Sequence, residues 1–251
     1  MKAPDLISSF AAMQAIIMAA GRGTRLGSLT EDKPKALVEV SHKPLIEHAL
    51  CFAKQTGATH RVVVGGYGYT QLAKQVQKVD PQAHVVENTE LRCGNVLSLI
   101  VGHSALTPDG GFLLMNSDHI YSQEIANIVA KTAQETTRIV AFCDFDRELG
   151  PDDMKVKLQD HVVRDISKKL PSWDAGYVGM TYVPQNCRAE YDRALEQTLH
   201  SVGDNSCAED VLVLLAKDAE PPVIADISGH GWFEIDNQKD RNQAEAVLNH
   251  L

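Results

Sequence analysis

The sequence lacks long apolar runs and paired cysteine motifs. None of its hydrophobic stretches approaches the roughly 20 apolar residues that span a bilayer, so we predict no membrane partner. Its five cysteines are scattered through 251 residues without a CxxC pair, which argues against a cysteine-bound metal. Scattered, unpaired cysteines are typical of reduced thiols, so we predict a cytoplasmic protein.

An excess of positive charge is also missing. The formal net charge is −9 at pH 7. Nucleic-acid grooves and sites for anionic membranes need clustered cations, so we predict no nucleic-acid partner. A small phosphorylated ligand remains compatible with this balance, because it needs only a few cations in the right place.

The chain shows no internal repeat, no low-complexity tract and no clear linker. A sequence of this length can bury a full core without disulfides or a structural metal. The opening segment MKAPDLISSFAAMQ has no clean apolar centre, so we do not expect a signal peptide there. We predict a single domain over residues 14–251 and a loose extension over residues 1–13.

Apolar strands alternate with amphipathic helices through the first half of the chain. Four predicted strands are each followed by a predicted helix, namely AIIMAA, HRVVVGG, AHVVEN and GGFLLMNSDH. This alternation indicates an α/β fold with a parallel sheet covered on both faces. After Val140, MKVKLQDHVVRDISK alternates in twos and predicts an antiparallel hairpin, and YVGMTYV predicts a further strand. Further helices are predicted at 185–200, at 208–217 and in QKDRNQAEAVLNHL.

A glycine-rich loop, GRGTRLG, follows the first predicted strand. The Walker A and dinucleotide GxGxxG loops both need a glycine where Leu26 stands, so neither fits. Glycines let backbone N–H groups approach a polyphosphate, while Thr24 can add a hydroxyl and Arg25 a bidentate contact. The alternative is a tight turn with solvated arginines. Pro34 forces an extended approach to Lys35, which could then be held at the edge of the same site.

These motifs resemble those of the nucleotidyltransferases that make NDP-sugars and CDP-alcohols. The family signature is an apolar strand, then Ala-Ala-Gly-x-Gly-Thr-Arg, then Pro-Lys. Here it comprises Ala19, Ala20, Gly21, Gly23, Thr24, Arg25, Pro34 and Lys35. Within the family, three further segments resemble cytidylyltransferases of the inositol-1-phosphate type. They are GNVLSL (Gly94–Leu99), SDHIYS (Ser117–Ser122) and WFEIDNQKDRNQA (Trp232–Ala244). The cytidylyltransferase module of fosfomycin biosynthesis, which charges 2-hydroxyethylphosphonate, is a similar relative.

The resemblance implies a three-layer, mostly parallel Rossmann-like sheet with a small antiparallel acceptor-binding subregion. It implies transfer of CMP from CTP to a small phosphate or phosphonate, with release of pyrophosphate. The nucleophile arrives already ionised, so no side-chain base is needed, and catalysis reduces to positioning and charge neutralisation. Mg²⁺ is the expected cofactor, because it prefers one or two carboxylates together with substrate phosphate oxygens.

Site residues follow from the resemblance position by position. Arg25 and Lys35 are the predicted catalytic cations, and Asp118 and Asp236 the predicted magnesium ligands. Lys155 or Lys168 is expected to hold the acceptor's phosphate. The predicted nucleotide-binding residues are Ala20, Gly21, Gly23, Thr24, Gly66, Gly94, Asn95 and Ser98, with the base near Gly65–Gly66 and the RCGN turn.

Each site residue also has a structural alternative. Asp118 could be a strand-end turn residue, Asp236 a helix N-cap, and the two hairpin lysines solvated surface charges. Trp173 and Trp232 could wall the acceptor pocket or belong to the core. Weaker candidates are the carboxylates of Asp153 and Glu234 and a polar His119.

Two rival functions stay open. One is a sugar-1-phosphate nucleotidyltransferase that uses UTP or dTTP with the same loop, and the other is a nucleotide-sensing domain without activity. A glycosyltransferase is disfavoured, because SDH is not an Asp-x-Asp motif. Related enzymes are often fused to a second module, so the chain is either a stand-alone enzyme or one module of a bifunctional protein.

Overall fold

The computed structural model describes residues 13–91, 94–203 and 205–249. The strands are β1 Gln14–Ala19, β2 Glu39–Val40, β3 Lys43–Pro44, β4 His60–Gly65, β5 His84–Glu87, β6 Phe112–Asn116, β7 His119–Tyr121, β8 Val140–Asp144, β9 Lys155–Gln159, β10 Val162–Ser167, β11 Ala175–Val183, β12 Val223–Asp226 and β13 Trp232–Glu234. The helices are α1 Leu45–Gln55, α2 Tyr69–Val79, α3 Val96–Ser104, α4 Gln123–Glu135, α5 Arg188–Val202, α6 Ala208–Leu215 and α7 Gln238–Leu248. Three short 3₁₀ turns cover Thr24–Thr30, Lys35–Leu37 and Gln185–Cys187.

Nine strands form one sheet in the order β5-β4-β1-β6-β11-β8-β12-β10-β9. The first four strands in this order pair in parallel, which confirms the parallel sheet expected from the first half of the chain. β11 then inserts antiparallel between β6 and β8. The sheet is therefore mixed beyond β6, because the strand joining its two halves runs against its neighbours on both sides.

The central strand β1 explains the layering, because all six of its residues are buried. Side chains alternate across a strand, so Ile17 faces one hydrophobic cluster and Ile16 the other. The first cluster receives α1, α2 and α4, and the second receives α3, α5 and α6. Full burial of one isoleucine contributes about 1.5–3 kcal/mol, so these alternating positions stabilise both helix layers on one sheet.

The predicted hairpin is confirmed as β9 and β10, which pair antiparallel. Its turn residues, Asp160 and His161, both have positive φ (53° and 63°), as a two-residue hairpin turn requires. β9 also pairs with the start of β11, so strands β11, β8, β12, β10 and β9 form a closed ring of pairings. The hairpin is therefore continuous with the main sheet.

A two-stranded ribbon of β7 and β13 lies outside the main sheet. It was not predicted as a pair, because its strands have three residues each and lie more than 100 positions apart. The ribbon joins the end of β6 to the start of α7, and so links the two segments that contain the predicted magnesium ligands.

No helix in the described ranges is long and apolar enough to cross a bilayer. Of the predicted N-terminal extension, residues 1–12 lie outside the described residues, as do Arg92 and Cys93 of the RCGN turn. The boundary at residue 14 coincides with the start of β1, and the single-domain assignment stays a prediction.

Candidate active site

The glycine loop leaves β1 and folds over the side chain of Lys35. Gly23 adopts a left-handed conformation (φ 76°), and a Cβ built there would lie 2.7 Å from the Cβ of Lys35. Thr30 Oγ1 donates a hydrogen bond to the Gly23 carbonyl (2.9 Å), and Lys35 N donates to the Gly21 carbonyl (3.3 Å). Only glycine combines this backbone conformation with such close contact, so Gly23 lets the loop pack directly on the lysine.

Lys35 joins the two predicted magnesium ligands. Its ammonium Nζ lies 2.5 Å from Asp118 Oδ2 and 2.6 Å from Asp236 Oδ1. The three side chains are 12%, 23% and 17% exposed, respectively. Two carboxylates therefore converge on one cation at a partly buried point that solvent and a ligand can still reach.

Arg25 is the second cation of this cluster. Its Nη2 donates to Asp236 Oδ2 at 2.8 Å, and its Nη1 lies 3.5 Å from Asp152 Oδ2. The Arg25 side chain is 54% exposed, far more than Lys35. Arg25 is therefore free to turn toward an anionic ligand, while Lys35 is held at the base of the cluster.

The cluster shifts the pKa values of its members. Burial alone would lower the pKa of Lys35, but the charges of Asp118 and Asp236 outweigh it and raise that pKa. Burial alone would raise the pKa of Asp118, but the charge of Lys35 and the hydrogen bond with His119 outweigh it and hold that pKa well below the usual range. Both groups are therefore ionised at neutral pH. Burial, together with the nearby charges of Asp118 and Asp236, raises the pKa of Glu234.

The β7–β13 ribbon positions the two aspartates. His119 pairs with Glu234 across the ribbon, and Ile235 N donates to the Asp118 carbonyl at 2.9 Å. The N-cap of α7 is Asn237, whose Oδ1 accepts from two backbone N–H groups of the first turn. Asp236 therefore does not have the N-cap role offered as its structural alternative, and its carboxylate points to the two cations.

His119 supports Asp118 from the buried side. Its Nδ1 lies 2.8 Å from Asp118 Oδ1, which leaves Oδ2 for Lys35. The imidazole stacks on Trp232 with ring centroids 5.6 Å apart, and Trp232 Nε1 donates to Asp144 Oδ2 at 2.7 Å. The pKa of His119 is lowered by burial but raised overall by its hydrogen bond to Asp118. His119 and Trp232 therefore hold the Asp118 carboxylate in place.

One cavity of about 400 Å³ contains the cluster and the loop. Nine predicted site residues line it: Gly21, Gly23, Thr24, Arg25, Lys35, Asn95, Asp118, Lys168 and Asp236. The structure therefore brings together residues that the sequence suggested from separate segments of the chain.

Five predicted site residues do not line this cavity: Ala20, Gly66, Gly94, Ser98 and Lys155. Gly66 packs on Ala20, since a Cβ at Gly66 would lie 2.9 Å from the Ala20 Cβ. Ser98 Oγ is buried and accepts a hydrogen bond from Asn88 Nδ2 at 2.8 Å. The predicted role of Ala20, Gly66, Gly94 and Ser98 in binding the nucleotide stays a prediction.

Gly94 and Asn95 hold the start of α6. A Cβ at Gly94 would lie 1.9 Å from the Ser206 carbonyl oxygen, so only glycine fits this approach. Val96 N donates to that same carbonyl at 3.1 Å, and Ala208 N donates to Asn95 Oδ1 at 2.7 Å. The GNVLSL motif thus fixes the N-terminus of α6 beside the cavity.

The two hairpin lysines differ in environment. Lys155 is 4% exposed, and its Nζ donates to the carbonyls of Gly150, Asp153 and Lys168 at 2.7, 3.3 and 3.1 Å. Lys155 also lies over the ring of Trp173, which is itself 43% exposed. Lys168 is exposed and lines the cavity. Lys168 is thus the hairpin lysine that can reach a ligand there, while Lys155 ties the 150–153 loop to the hairpin.

Several lining residues were not predicted from the sequence, among them Asn116, Asp152, Tyr177, Gly179 and Glu209. Gly179 has φ 71° at a bulge in β11, and a Cβ there would meet His119 Nε2 at 3.1 Å. Its position in YVGMTYV could have indicated a bulge, because an isolated glycine inside a strand often does. Glu209 lies in an ordinary helical pattern and has no comparable motif.

A known protein family matches most of the chain. Residues 15–202 match the family described as the MobA-like NTP transferase domain. The chain belongs to this family. The resemblance noted in the sequence is thereby confirmed at the level of nucleotidyltransferases.

Two curated relatives extend the comparison. A bifunctional IPC transferase and DIPP synthase of Thermococcus kodakarensis is 27% identical over 240 residues, 94% of this chain and 50% of that protein. The UTP--glucose-1-phosphate uridylyltransferase AglF of Haloferax volcanii is 35% identical over 127 residues, 49% of this chain and 50% of that protein. The chain spans about half the length of these curated relatives.

A solved structure shows the shared fold. The inositol-1-phosphate CTP transferase from T. maritima superposes with a TM-score of 0.79 at 21% identity, covering 95% of this chain and 97% of that chain. The Rossmann-like nucleotidyltransferase fold expected from the sequence is therefore confirmed.

Proposed function

We propose that the protein transfers the cytidylyl group of CTP to a small phosphate or phosphonate acceptor. An oxygen of the acceptor attacks the α-phosphorus, a new P–O bond forms, the bond between the α-phosphorus and its bridging oxygen breaks, and pyrophosphate leaves. The observation that supports this most strongly is the Lys35 ammonium between Asp118 and Asp236, beneath a glycine loop and in one cavity. This mechanism needs no side-chain nucleophile, because the acceptor's own oxygen attacks.

The two cations, Lys35 and Arg25, offset negative charge on the reacting groups. Two anions must approach each other in line, and their repulsion is reduced by Lys35 and Arg25. The loop contributes Gly21 and Gly23, whose lack of side chains lets backbone N–H groups approach a triphosphate. Fixing this geometry can supply about 7–11 kcal/mol of the barrier in favourable cases.

Mg²⁺ is part of the proposal, with Asp118 and Asp236 as its ligands. Two carboxylate oxygens already converge on one cationic atom, and the low pKa of Asp118 keeps it ionised. No group of three or more metal-binding His, Cys, Asp or Glu side chains occurs in the described parts of the chain. The two carboxylates of Asp118 and Asp236 suit an ion that takes its remaining ligands from phosphates and water. When bound, the ion stabilises negative charge on the phosphate oxygens.

CTP is proposed over other nucleotides because the motifs GNVLSL, SDHIYS and WFEIDNQKDRNQA resemble those of cytidylyltransferases of the inositol-1-phosphate type. The relative aligned along 94% of this chain is named an IPC transferase, which agrees with that type. Inositol 1-phosphate and 2-hydroxyethylphosphonate are the proposed acceptor types. A second candidate is a sugar-1-phosphate nucleotidyltransferase using UTP or dTTP, which is favoured by the similarity to AglF over 127 residues. A cytoplasmic location and a second module in a longer protein remain predictions.

The decisive experiment measures pyrophosphate release with Mg²⁺ for each NTP against four acceptors. These are inositol 1-phosphate, 2-hydroxyethylphosphonate, phosphocholine and glucose 1-phosphate. Turnover with CTP and one of the first three acceptors is expected, together with loss of activity after chelation and its recovery with added Mg²⁺. Turnover confined to glucose 1-phosphate with UTP or dTTP would instead establish the second candidate.

A further inference from the structure

A second group of residues lines the same cavity as the glycine loop and the two aspartates. It comprises Asn116, Met154, Lys168, Tyr177, Cys207 and Glu209. Glu209 stands out, because its residue is 8% exposed and yet its side chain lines a cavity open to ligands. Carboxylates are seldom buried unless they are paired or hydrogen-bonded.

Within residues 13–91, 94–203 and 205–249, the only donor to the Glu209 carboxylate is its own backbone N–H. No side chain in these ranges donates a hydrogen bond to it, and no salt bridge joins it to Lys168 in the same cavity. Burial raises the pKa of Glu209. A carboxylate has about four acceptor sites, so one backbone donor leaves the others to water in the cavity or to a donor that a ligand supplies.

The surrounding structure holds Glu209 in place. α6 begins one residue earlier, at Ala208, whose backbone N donates to Asn95 Oδ1. The preceding residue, Cys207, donates its backbone N to Asp210 Oδ2 at 2.7 Å, which closes a capping box. These contacts fix the first turn of α6, so the position of Glu209 relative to the cavity is set before a ligand binds.

The neighbouring side chains limit which chemical groups a ligand can place in this part of the cavity. Lys168 offers a positive charge to a phosphate or phosphonate, and Glu209 offers an acceptor to a hydrogen-bond donor. The hydroxyl of Tyr177 is already hydrogen-bonded to Thr181 Oγ1 at 2.8 Å. Recognition of a quaternary ammonium uses several aromatic faces, whereas Tyr177 is the only Phe, Tyr or Trp among the described lining residues.

We infer that Glu209 determines acceptor specificity by accepting a hydrogen bond from a hydroxyl or ammonium group on the acceptor's carbon skeleton. This inference rests on the proposed function, in which the same acceptor carries the attacking phosphate or phosphonate near Lys168. A bare alkyl phosphonate would displace water from the Glu209 carboxylate without offering a donor in its place, and is therefore a poorer substrate.

The test compares matched acceptors that differ only in donor groups. One pair is 2-hydroxyethylphosphonate and ethylphosphonate, and the other is inositol 1-phosphate and cyclohexyl phosphate. 2-Aminoethylphosphonate represents the ammonium-bearing class. We expect kcat/KM of the wild-type protein to favour the donor-bearing member of at least one pair by about 10- to 100-fold, the usual effect of one hydrogen bond to a charged group.

Two variants assign that preference to Glu209. Glu209→Met keeps the side-chain length and removes both acceptor oxygens, so the preference is expected to fall by about tenfold or more. Glu209→Gln keeps one acceptor oxygen without the charge, so it retains hydroxyl-bearing acceptors and loses the ammonium-bearing one. Glu196→Gln, an exposed acid on α5, is the matched control and leaves the preference unchanged.

The outcomes separate this inference from the proposed function. Turnover by the wild type without preference for donor-bearing acceptors overturns the inference, as does an unchanged preference in folded Glu209→Met. If no acceptor supports turnover, the proposed function fails. Calorimetric binding of the same matched acceptors then decides the inference, since equal Kd values within each pair overturn it and a Glu209-dependent difference supports it.

Discussion

Lys35 and Asp118 lie 83 positions apart in the chain, yet their side chains meet at a distance of 2.5 Å. The contact depends on three elements that approach from different directions. The glycine loop packs on the lysine stem, β6 delivers the aspartate, and the β7–β13 ribbon brings Asp236 to the same ammonium. This convergence turns separate motifs into one site, and it is the feature that substitutions should test first.

Lys35→Ala is expected to lower turnover by about 100-fold or more, because it removes a preorganised charge from the site of phosphoryl transfer. The fold should persist, since Asp118 and Asp236 keep access to solvent. Pyrophosphate release measures the first effect and a thermal melt the second. Lys33→Ala is the matched control, because Lys33 lies two residues away and outside the cavity. Wild-type turnover in Lys35→Ala would contradict the assigned role.

Asp118→Asn is expected to abolish most turnover for a related reason. The amide has nearly the same shape but no charge to balance Lys35 or to hold a cation. Asp146→Asn provides the comparison, because Asp146 is exposed and lies outside the cavity. It makes the same change from acid to amide away from the cluster, so this control should change activity little. Equal activity of the two variants would argue against Asp118 as part of the site.

Local motifs predicted much of this arrangement from the sequence. The glycine loop and Pro34–Lys35 stand out from the patterns around them, and the resemblance to the nucleotidyltransferases pointed to the two aspartates. The alternation of apolar strands and helices likewise predicted the parallel half of the sheet. These features depend on neighbouring residues, which a sequence shows directly.

Features that depend on long-range pairing were harder to predict from the sequence. Lys155 and Lys157 occupy the same face of β9, yet Lys155 is 4% exposed and the side chain of Lys157 42%. The difference arises because β11 pairs with β9 at Lys155 and the 150–153 loop closes over its ammonium. Nothing in the alternating pattern distinguishes the two lysines. Glu209 was missed for the same reason, since its burial depends on where α6 is held.

Gly94→Ala tests how α6 is held. The new Cβ would lie 1.9 Å from the Ser206 carbonyl oxygen and 2.5 Å from that of Asn205, so the backbone must separate. We expect a loss of about 1–3 kcal/mol in the free energy of unfolding, as for other overpacked sites. Gly231→Ala is the control, because its Cβ would meet no atom within 4 Å. Denaturant unfolding measures both, and equal stability would contradict the packing described here.

Lys155→Met tests the tie between the 150–153 loop and the hairpin. The variant keeps an apolar stem but leaves three carbonyls without their shared donor. Each unsatisfied buried group costs about 1–3 kcal/mol, so stability should fall by at least that amount. Lys157→Met removes only an exposed contact with Asp174 and should have little effect. If Lys155 contacts the acceptor as the sequence first suggested, KM for the acceptor should rise in Lys155→Met while stability stays unchanged.

The buried pair of Arg61 and Asp80 predicts how stability depends on pH. Arg61 Nε donates to Asp80 Oδ2 at 2.6 Å, and the two residues are 5% and 2% exposed. Burial raises the pKa of Asp80, but the hydrogen bond and charge of Arg61 outweigh it, so the net pKa is lowered. Since the folded pKa is below the unfolded one, this stabilisation is complete above the unfolded value and is lost as pH falls through the folded one.

Asp80→Ala should therefore lower the free energy of unfolding by about 3–5 kcal/mol at neutral pH, because it leaves Arg61 buried and unpaired. The difference from wild type should shrink as the solution is acidified below about pH 4, where an unfolded aspartate takes up its proton. Urea unfolding across this range gives both quantities. Asp109→Asn is the matched control, since Asp109 is exposed and no described residue forms a salt bridge with its carboxylate, and it should follow the wild-type profile. A difference between Asp80→Ala and wild type that stays constant with pH would mean that the ion pair does not supply the stabilisation.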